Sequence, residues 1–583
     1  MNWKNLIPAA EWLPGYSRSL LRKDLLAGLT VGVMLVPQGM AYAMLAGMPP
    51  IYGLYGGLVP LFLYGLLGTS RQLSVGPVAI SSLLILAGIS KLAEPGSQEY
   101  VELVILTGLM VGILQTLLGL FKVGALVNLL SHPVIIGFTS AAAVIIAINQ
   151  LTYLFGMPIP RFEHSYETLY YACMHLSDIH WPTFLICISA ILIILLLRKI
   201  SRAIPSALLV TVLSIIIVHF FRLDTYGVDI VGKVPEGLPA LAAPHFQSSD
   251  LLAIIPTVLT VGIMGIVESI SIARVLESKN KDCNIRPNAE LIALGLSKIG
   301  GAFFQAIPTS GSFTRSAVNN DNGAKTGMSS IITALLTGLT LIFLTPLFYA
   351  LPKAALAAII LVAVIGLFNV KEARHLWHLH RQDFFMMLAT FVATLALGIE
   401  KGVIIGVLLS LAMIIYRTSQ THFAVLGRLP NSNYYRNVER FKEAVRHDGI
   451  LVLRFDAQLF FGNINHFKDT LMDQVEQQPS PVDIFILDAS NINDIDSSGL
   501  DTLEEVAQWL HLKGIHFSLA GAIGPVRDLL YKSGLMQKIG QENQFLYVHE
   551  AVQYHLMKSR EENNWDANAV QTNLGKEKKP LKK

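Results

Sequence analysis

Apolar and polar positions along the chain follow two different rhythms. Between residues 25 and 417 long apolar runs alternate with short polar connections, and from 418 onward the runs shorten to strand and helix length. A transmembrane helix needs about 20 mostly apolar residues. Fourteen runs are candidate spans, near 25–45, 51–68, 78–92, 101–121, 132–155, 183–199, 204–221, 251–273, 289–304, 313–323, 328–348, 351–368, 384–400 and 401–417. Two of them, 78–92 and 313–323, are too short to cross about 30 Å of hydrocarbon at about 1.5 Å per residue, and these predict half-helices. They fall third in each set of seven. Each follows a stretch rich in Gly, Pro or hydroxyl residues, Ser74-Val-Gly-Pro-Val78 in one case and Pro308-Thr-Ser-Gly-Ser312-Phe-Thr-Arg315 in the other. Interrupted segments at corresponding places in two halves point to an inverted repeat with a site at the midplane. The expectation is an α-helical polytopic membrane protein of 14 transmembrane segments, arranged as a 7+7 inverted repeat, with the free N–H groups of two helix starts facing each other. The plainer alternative is that Gly and Pro merely kink two helices.

Composition agrees with a membrane setting. Of 583 residues, 52% are hydrophobic and 15% charged, against roughly 25% charged in an average soluble domain. A net charge of +3 gives no nucleic-acid footprint. With the N-terminus placed in the cytoplasm, Arg22, Lys23, Arg71, Lys122, Arg198, Lys199, Arg274, Lys279, Arg286, Lys325, Lys371, Arg374 and Arg381 all fall on the inner side. The opposite connections, 156–182 and 222–250, are mainly acidic. An even number of spans returns the C-terminus to the cytoplasm. Residues 1–24 have no signal-peptide pattern, and compact loops suit a cell inner membrane. Cys173, Cys187 and Cys283 lack the spacing of a disulfide framework or a metal site, so no cofactor is expected.

Two ionisable residues stand inside apolar runs. Arg315 lies in the second short segment, and a guanidinium near the bilayer centre costs at least about 2.5 kcal/mol on insertion scales, so it needs a partner. An anionic substrate held with the two helix N-termini is one partner; a fixed carboxylate or carbonyls are the other. Glu268 lies in Val261-Gly-Ile-Met-Gly-Ile-Val-Glu268-Ser-Ile, and burial makes such a carboxyl group a candidate proton carrier. A permanent pair with Arg315 or Arg274 is the alternative. In the first span, Pro37 and Gly39 can break the helix and leave Gln38 and Tyr42 on one face about a turn apart as uncharged polar contacts.

Past a linker at 418–447, residues 448–558 read as a small α/β domain, and 559–583 as a polar, disordered tail. Gly449–Phe455, Val482–Leu487 and the stretch after Gly514 are strand-like, and Asp496 or Ser497 caps an amphipathic helix over Leu500–Leu512. Ser497 and Ser498 have the position to accept a phosphate, although capping alone accounts for them. No Walker motif is present.

These residues resemble the sulfate permease (SulP) family of anion transporters, which includes the animal anion exchangers and prestin. The resemblance rests on Val36-Pro-Gln-Gly-Met-Ala-Tyr-Ala43, Pro49-Pro50-Ile-Tyr-Gly-Leu-Tyr55, Leu67-Gly-Thr-Ser-Arg-Gln-Leu-Ser-Val-Gly-Pro77, Asn288-Ala-Glu290-Leu291 and Gly311-Ser-Phe-Thr-Arg315-Ser316. Asp496-Ser-Ser-Gly499 looks like the signature of a STAS domain, the fold shared with anti-sigma-factor antagonists. The resemblance implies core and gate subdomains, a homodimer and an elevator-like movement. It carries a substrate site over to Gln38, Tyr42, Val78, Ser312, Thr314 and Arg315, and a proton-coupling role to Glu268. Ile272 one turn later departs from the pattern of sodium-coupled bicarbonate members, which favours protons. It also implies a STAS domain that regulates transport and contacts a cytoplasmic protein. The expected activity is sulfate:proton symport, with bicarbonate or C4-dicarboxylate transport by the same fold as the runner-up, and a passive anion channel or a membrane-tethered signalling module as readings of another class.

Overall fold

The computed structural model describes residues 8–124, 131–160, 162, 164–200, 205–244, 248–280 and 284–558. The chain forms two compact units, 1–411 and 412–583.

In the first unit every one of the fourteen apolar runs contains helix. The helices that matter below are α1 (Arg18–Leu45), α2 (Val59–Leu67), α3 (Ala79–Ile89), α4 (Gln98–Leu120), α5 (Trp181–Ile200), α6 (Ser248–Lys279), α7 (Pro287–Phe303), α8 (Phe313–Asp321), α9 (Met328–Leu339), α10 (Lys353–Ile365) and α11 (Ile399–Ser419). Among the described residues eight helices are long and apolar enough to cross a membrane. The helices α3 and α8 are not, since 11 and 9 residues reach only about 16 and 14 Å. Exposure follows position. Within its most apolar stretch α1 is 72% buried, whereas α5 is 22% buried and turns Leu185, Leu192 and Leu196 outward. Such apolar side chains on an outer surface suit hydrocarbon as solvent.

Two expectations are corrected here. The first span was expected to begin at 25, but α1 starts at Arg18, where the Ser17 hydroxyl accepts from the Leu20 amide. It buries Asp24 completely. The break expected at Pro37 and Gly39 does not occur, and α1 runs through both as 28 continuous residues. The loss of one N–H is tolerated inside a helix packed on its neighbours. Gly39 serves a close crossing instead: a Cβ there would stand 3.0 Å from the Gly53 carbonyl oxygen.

The second unit is built on a six-stranded sheet in the order β4-β3-β5-β6-β7-β8. Its members are β3 (Phe423–Arg428), β4 (Tyr435–Asn437), β5 (Ile450–Phe455), β6 (Ile484–Asp488), β7 (His516–Ala520) and β8 (Gln544–Phe545). The last four pair in parallel, and β3 and β4 add antiparallel strands at one edge. Residues 418–447 are therefore more than a linker, because two strands of the sheet come from them. Both faces are covered. Leu451, Leu453, Phe455, Phe485 and Leu487 pack with Phe467 and with Leu503, Val506 and Leu510 of α12 (Ser497–Leu512), while Val452, Ile484 and Ile486 pack with Ala551 and Val552. Strands buried on both faces read as near-continuous apolar runs, which is why β5, interrupted only by Arg454, and β6 are legible. Asp496 caps α12 by accepting from the Gly499 amide at 2.8 Å, leaving Ser497 exposed at the first helical position. The tail 559–583 lies outside the described residues.

Candidate functional site

The stretches before α3 and α8 meet as two-residue strands, β1 (Val75–Gly76) and β2 (Ser310–Gly311), paired antiparallel with Val75 opposite Gly311. Pro77 and the glycines oppose helix here, so the chain stays extended until Val78 and Ser312, which have extended backbones and serve as N-caps. The Ser74 amide donates to Ser316 Oγ at 2.8 Å, and the Ser312 amide to the Ser74 carbonyl at 3.0 Å. The pairing brings the starts of the two short helices together, each with first-turn amides that precede any helical acceptor.

Arg315 projects from the first turn of α8 and is completely buried. Its Nε donates to Ser74 Oγ and its Nη1 to Gln38 Oε1, both at 3.4 Å, while Nη2 has no partner. The guanidinium lies against β1, where a Cβ on Gly76 would stand 3.0 Å from Nη2. Gln38 and Tyr42 are both buried one turn apart on α1, as the sequence spacing required, and Tyr42 lies within electrostatic reach of Arg315 and Glu268. Val78 and Ser312 are buried and Thr314 is exposed. Glu268 stands on α6 beside β2, within electrostatic reach of Arg315, and its Oε2 is out of contact with solvent and without a hydrogen-bond partner. Among the described residues neither Arg315 nor Arg274 forms an ion pair with Glu268, and Arg274 pairs with Glu277 at 3.3 Å. The fixed pairs considered from sequence are thus not formed.

The surrounding scaffold was not read from sequence. Ser269 Oγ accepts from the Gly311 amide at 2.9 Å and hydrogen-bonds Ser310 Oγ at 3.1 Å, which ties β2 to α6. Glu290, fully buried in the first turn of α7, accepts from the amides of Thr69 (2.8 Å) and Ser70 (3.3 Å) and from the hydroxyls of Tyr64 and Thr69, so it holds the loop that leads into β1. Asp24 holds the loop that leaves α8, accepting from the amides of Lys325 (2.7 Å) and Thr326 (3.1 Å). Asn319 Nδ2 ties α8 to the loop before β1 by donating to the Gln72 carbonyl at 3.0 Å. Glu290 stands at the start of an apolar run, whereas Asp24 follows Arg22 and Lys23 in a charged stretch, and a sequence does not say which backbone amides would meet either. Cys187 is buried, Cys173 is exposed, and Cys283 lies outside the described residues.

Two glycine-containing strands thus pair at the starts of two short helices, with one arginine against them. A Sulfate permease family profile matches residues 21–390. The chain belongs to the sulfate permease family. A STAS domain profile matches residues 441–551, on the second unit of this family member. The chloroplastic sulfate transporter 4.1 of Arabidopsis thaliana is 38% identical over 567 residues, covering 94% of this chain and 82% of its own. A probable sulfate transporter of Mycobacterium tuberculosis is 32% identical over 551 residues, covering 94% of this chain and 98% of its own. Among solved structures, SLC26A9 superposes with a TM-score of 0.88 at 24% identity, covering 96% of this chain and 94% of that one. The transmembrane domain of the cyanobacterial bicarbonate transporter BicA superposes at 0.59 and 23% identity, covering 68% of this chain and 98% of that one. This sulfate permease family protein is a multi-pass helical membrane protein of a transporter family, with a C-terminal STAS domain.

Proposed function

We propose that this protein is a secondary active transporter that carries sulfate inward together with protons. The observation that carries the reading is the Nη2 of Arg315, buried without a partner where two half-helix N-termini meet. A tetrahedral dianion offers acceptor oxygens to that nitrogen and to first-turn amides that precede any helical acceptor, apart from the Arg315 amide, which donates to the Ser312 hydroxyl at 3.5 Å. Gln38, Tyr42, Val78, Ser312 and Thr314 complete the substrate site. Glu268 carries the proton: protonated, it lets a dianion enter beside it, and it gives the proton up on the inner side. The named activity of the relatives at 38% and 32% identity supports sulfate over bicarbonate or a C4-dicarboxylate.

The fourteen runs form a 7+7 inverted repeat in this reading. A core subdomain around β1 and β2 moves in an elevator-like fashion against a gate subdomain, in a homodimer in a cell inner membrane with both termini cytoplasmic. The STAS domain regulates transport through a cytoplasmic partner, with the exposed Ser497 as its phosphate acceptor.

The test is uptake of radiolabelled sulfate into proteoliposomes under an imposed inward proton gradient, with unlabelled selenate, bicarbonate, fumarate and succinate as competitors. Gradient-stimulated uptake blocked by selenate is expected. Flux of bicarbonate or a dicarboxylate in its place would keep the site and replace the substrate, and uptake indifferent to the gradient would remove the coupling.

A further inference from the structure

Lys298 is a second buried basic side chain in the unit that holds Arg315. It lies on α7 at 3% exposure, and its Nζ donates to Gln115 Oε1 at 2.8 Å and to the Leu294 carbonyl of its own helix at 3.4 Å. Both acceptors are neutral oxygens. Among the described residues no carboxylate lies within ion-pair distance of it: Glu290, two turns earlier on α7, is occupied by the loop at 69–70, and Glu268 forms no ion pair with it.

The position is built. The helices α4 and α7 cross so closely that a Cβ on Gly295 would stand 2.6 Å from the Gly112 carbonyl oxygen, and Gln115 and Lys298 follow three residues later on each helix, where they face one another. Gln115, itself fully buried, passes the contact on by donating from Nε2 to the Gly262 carbonyl of α6 at 3.1 Å. One turn along α6 the Gly265 carbonyl accepts from Ser310 Oγ of β2 at 3.3 Å, and Glu268 follows three residues later. A short chain of hydrogen bonds therefore runs from the ammonium to the helix and strand that frame Arg315.

A charge inside a membrane span is expensive, and a structural role at this crossing would be met by a glutamine or a methionine without that cost. We propose that Lys298 supplies a second positive charge to the core and, through Gln115 and α6, acts as a positioning residue that favours doubly charged over singly charged anions at the Arg315 site. The inference rests on the anion-site reading above. Its logic is Coulombic: the energy of a fixed charge with a ligand scales with the ligand's charge, so the logarithm of the affinity gained is twice as large for a dianion as for a monoanion at the same place.

The experiment measures dissociation constants of sulfate and nitrate for the full chain in detergent, in wild type, Lys298→Met, Lys298→Arg and Gln115→Glu. Wild type that binds no sulfate would remove the anion-site reading itself, independently of Lys298. With wild-type binding in hand, Lys298→Met is expected to weaken sulfate by about tenfold and nitrate by about threefold, the square root of that loss, with Lys298→Arg close to wild type. Gln115→Glu leaves the lysine in place and gives it a neutralising partner, so it should weaken sulfate like Lys298→Met and decides the matter where the methionine variant fails to fold. Unchanged sulfate affinity in the neutralised variants, equal losses in Lys298→Met and Lys298→Arg, or equal losses for sulfate and nitrate would each overturn the proposal.

Discussion

Glu290 is the side chain whose removal the geometry prices most directly. Its carboxylate receives the Thr69 and Ser70 amides and the Tyr64 and Thr69 hydroxyls, all inside the protein. Hydrogen bonds to an ionised acceptor contribute about 1.5–3 kcal/mol each but do not add, and removing one side of a buried charged network costs about 3–5 kcal/mol. In Glu290→Ala the loop from 68 to 74 should therefore open about 100-fold more often, taking about 3 kcal/mol as the loss and about 1.4 kcal/mol per decade. Glu290→Gln keeps one oxygen for the Thr69 and Ser70 amides and presents its NH2 to Tyr64, whose hydroxyl can turn to accept, so about 1 kcal/mol and about fivefold are expected. Hydrogen–deuterium exchange of peptides covering 68–76 reads these ratios directly. Because β1 continues from this loop, sulfate uptake should fall in the same order. Exchange in Glu290→Ala within about threefold of wild type would refute the clamp, and equal exchange in the two variants would show that the charge alone, and not the set of donors, holds the loop.

Arg315→Lys keeps the charge but loses the planar fork, so sulfate affinity should drop by about 2–3 kcal/mol, on the order of 100-fold, with folding unchanged; titration showing less than about threefold would place the anion elsewhere. Glu268→Gln should retain sulfate binding and lose gradient-stimulated uptake, and intact stimulation in proteoliposomes would remove the proton-carrier role. In the second unit, burial pushes His555, bonded through Nε2 to Ser518 Oγ at 2.8 Å, down from 6.5 to about 4. The unfolded chain therefore binds the extra proton first, and this contribution to stability is fully present above about pH 6.5 and lost as the pH falls towards 4. The loss is on the order of 2 kcal/mol and should appear as faster intrinsic-rate-corrected exchange in β7 near pH 5 than near pH 7, flattened in His555→Gln; a flat wild-type profile would contradict it. Asp496→Ala should cost about 1 kcal/mol at the start of α12, seen as fraying of its first turn, while Ser497→Ala should cost almost nothing, and the reverse order would reassign the cap.

Sequence reveals features that depend on composition over a window and conceals those that depend on a partner. The two short helices were legible because Gly, Pro and hydroxyl residues oppose helix just before a run too short to span, whatever surrounds it. Strands β5 and β6 were legible because burial on both faces demands a near-continuous apolar run, broken in β5 only by Arg454. The strands β3 and β4 were not. They lie at one edge of the sheet: β4 is three residues, Tyr-Arg-Asn, with too little apolar signal, and the short run Phe-Ala-Val-Leu-Gly-Arg of β3 sits between the polar stretches 417–422 and 428–437, so it reads with them as a polar connection. At Pro37 the local rule favoured a break, and packing of α1 overrode it. Arg315 and Glu268 announced themselves as charges in apolar runs. Asp24 fell in a segment read as cytoplasmic, and what it and Glu290 bind are backbone amides, which every sequence has everywhere.

The distribution of satisfied and unsatisfied polar atoms separates scaffold from site in this unit. The carboxylates that fix the loops, Asp24 and Glu290, have both oxygens engaged. Apart from Thr345, the buried side-chain atoms of the first unit that lack a partner, among the described residues, belong to Ser70, Gln72, Glu268, Thr309, Arg315 and Asn319, all on the loops, half-helix or α6 turn around the crossing of β1 and β2. Folding alone would remove such atoms, since each costs about 1–3 kcal/mol. Atoms left in this condition at one place, beside carboxylates whose oxygens are all engaged, fit the proposed transport site: rigid where it holds the half-helices, and incomplete where a substrate and a proton would enter.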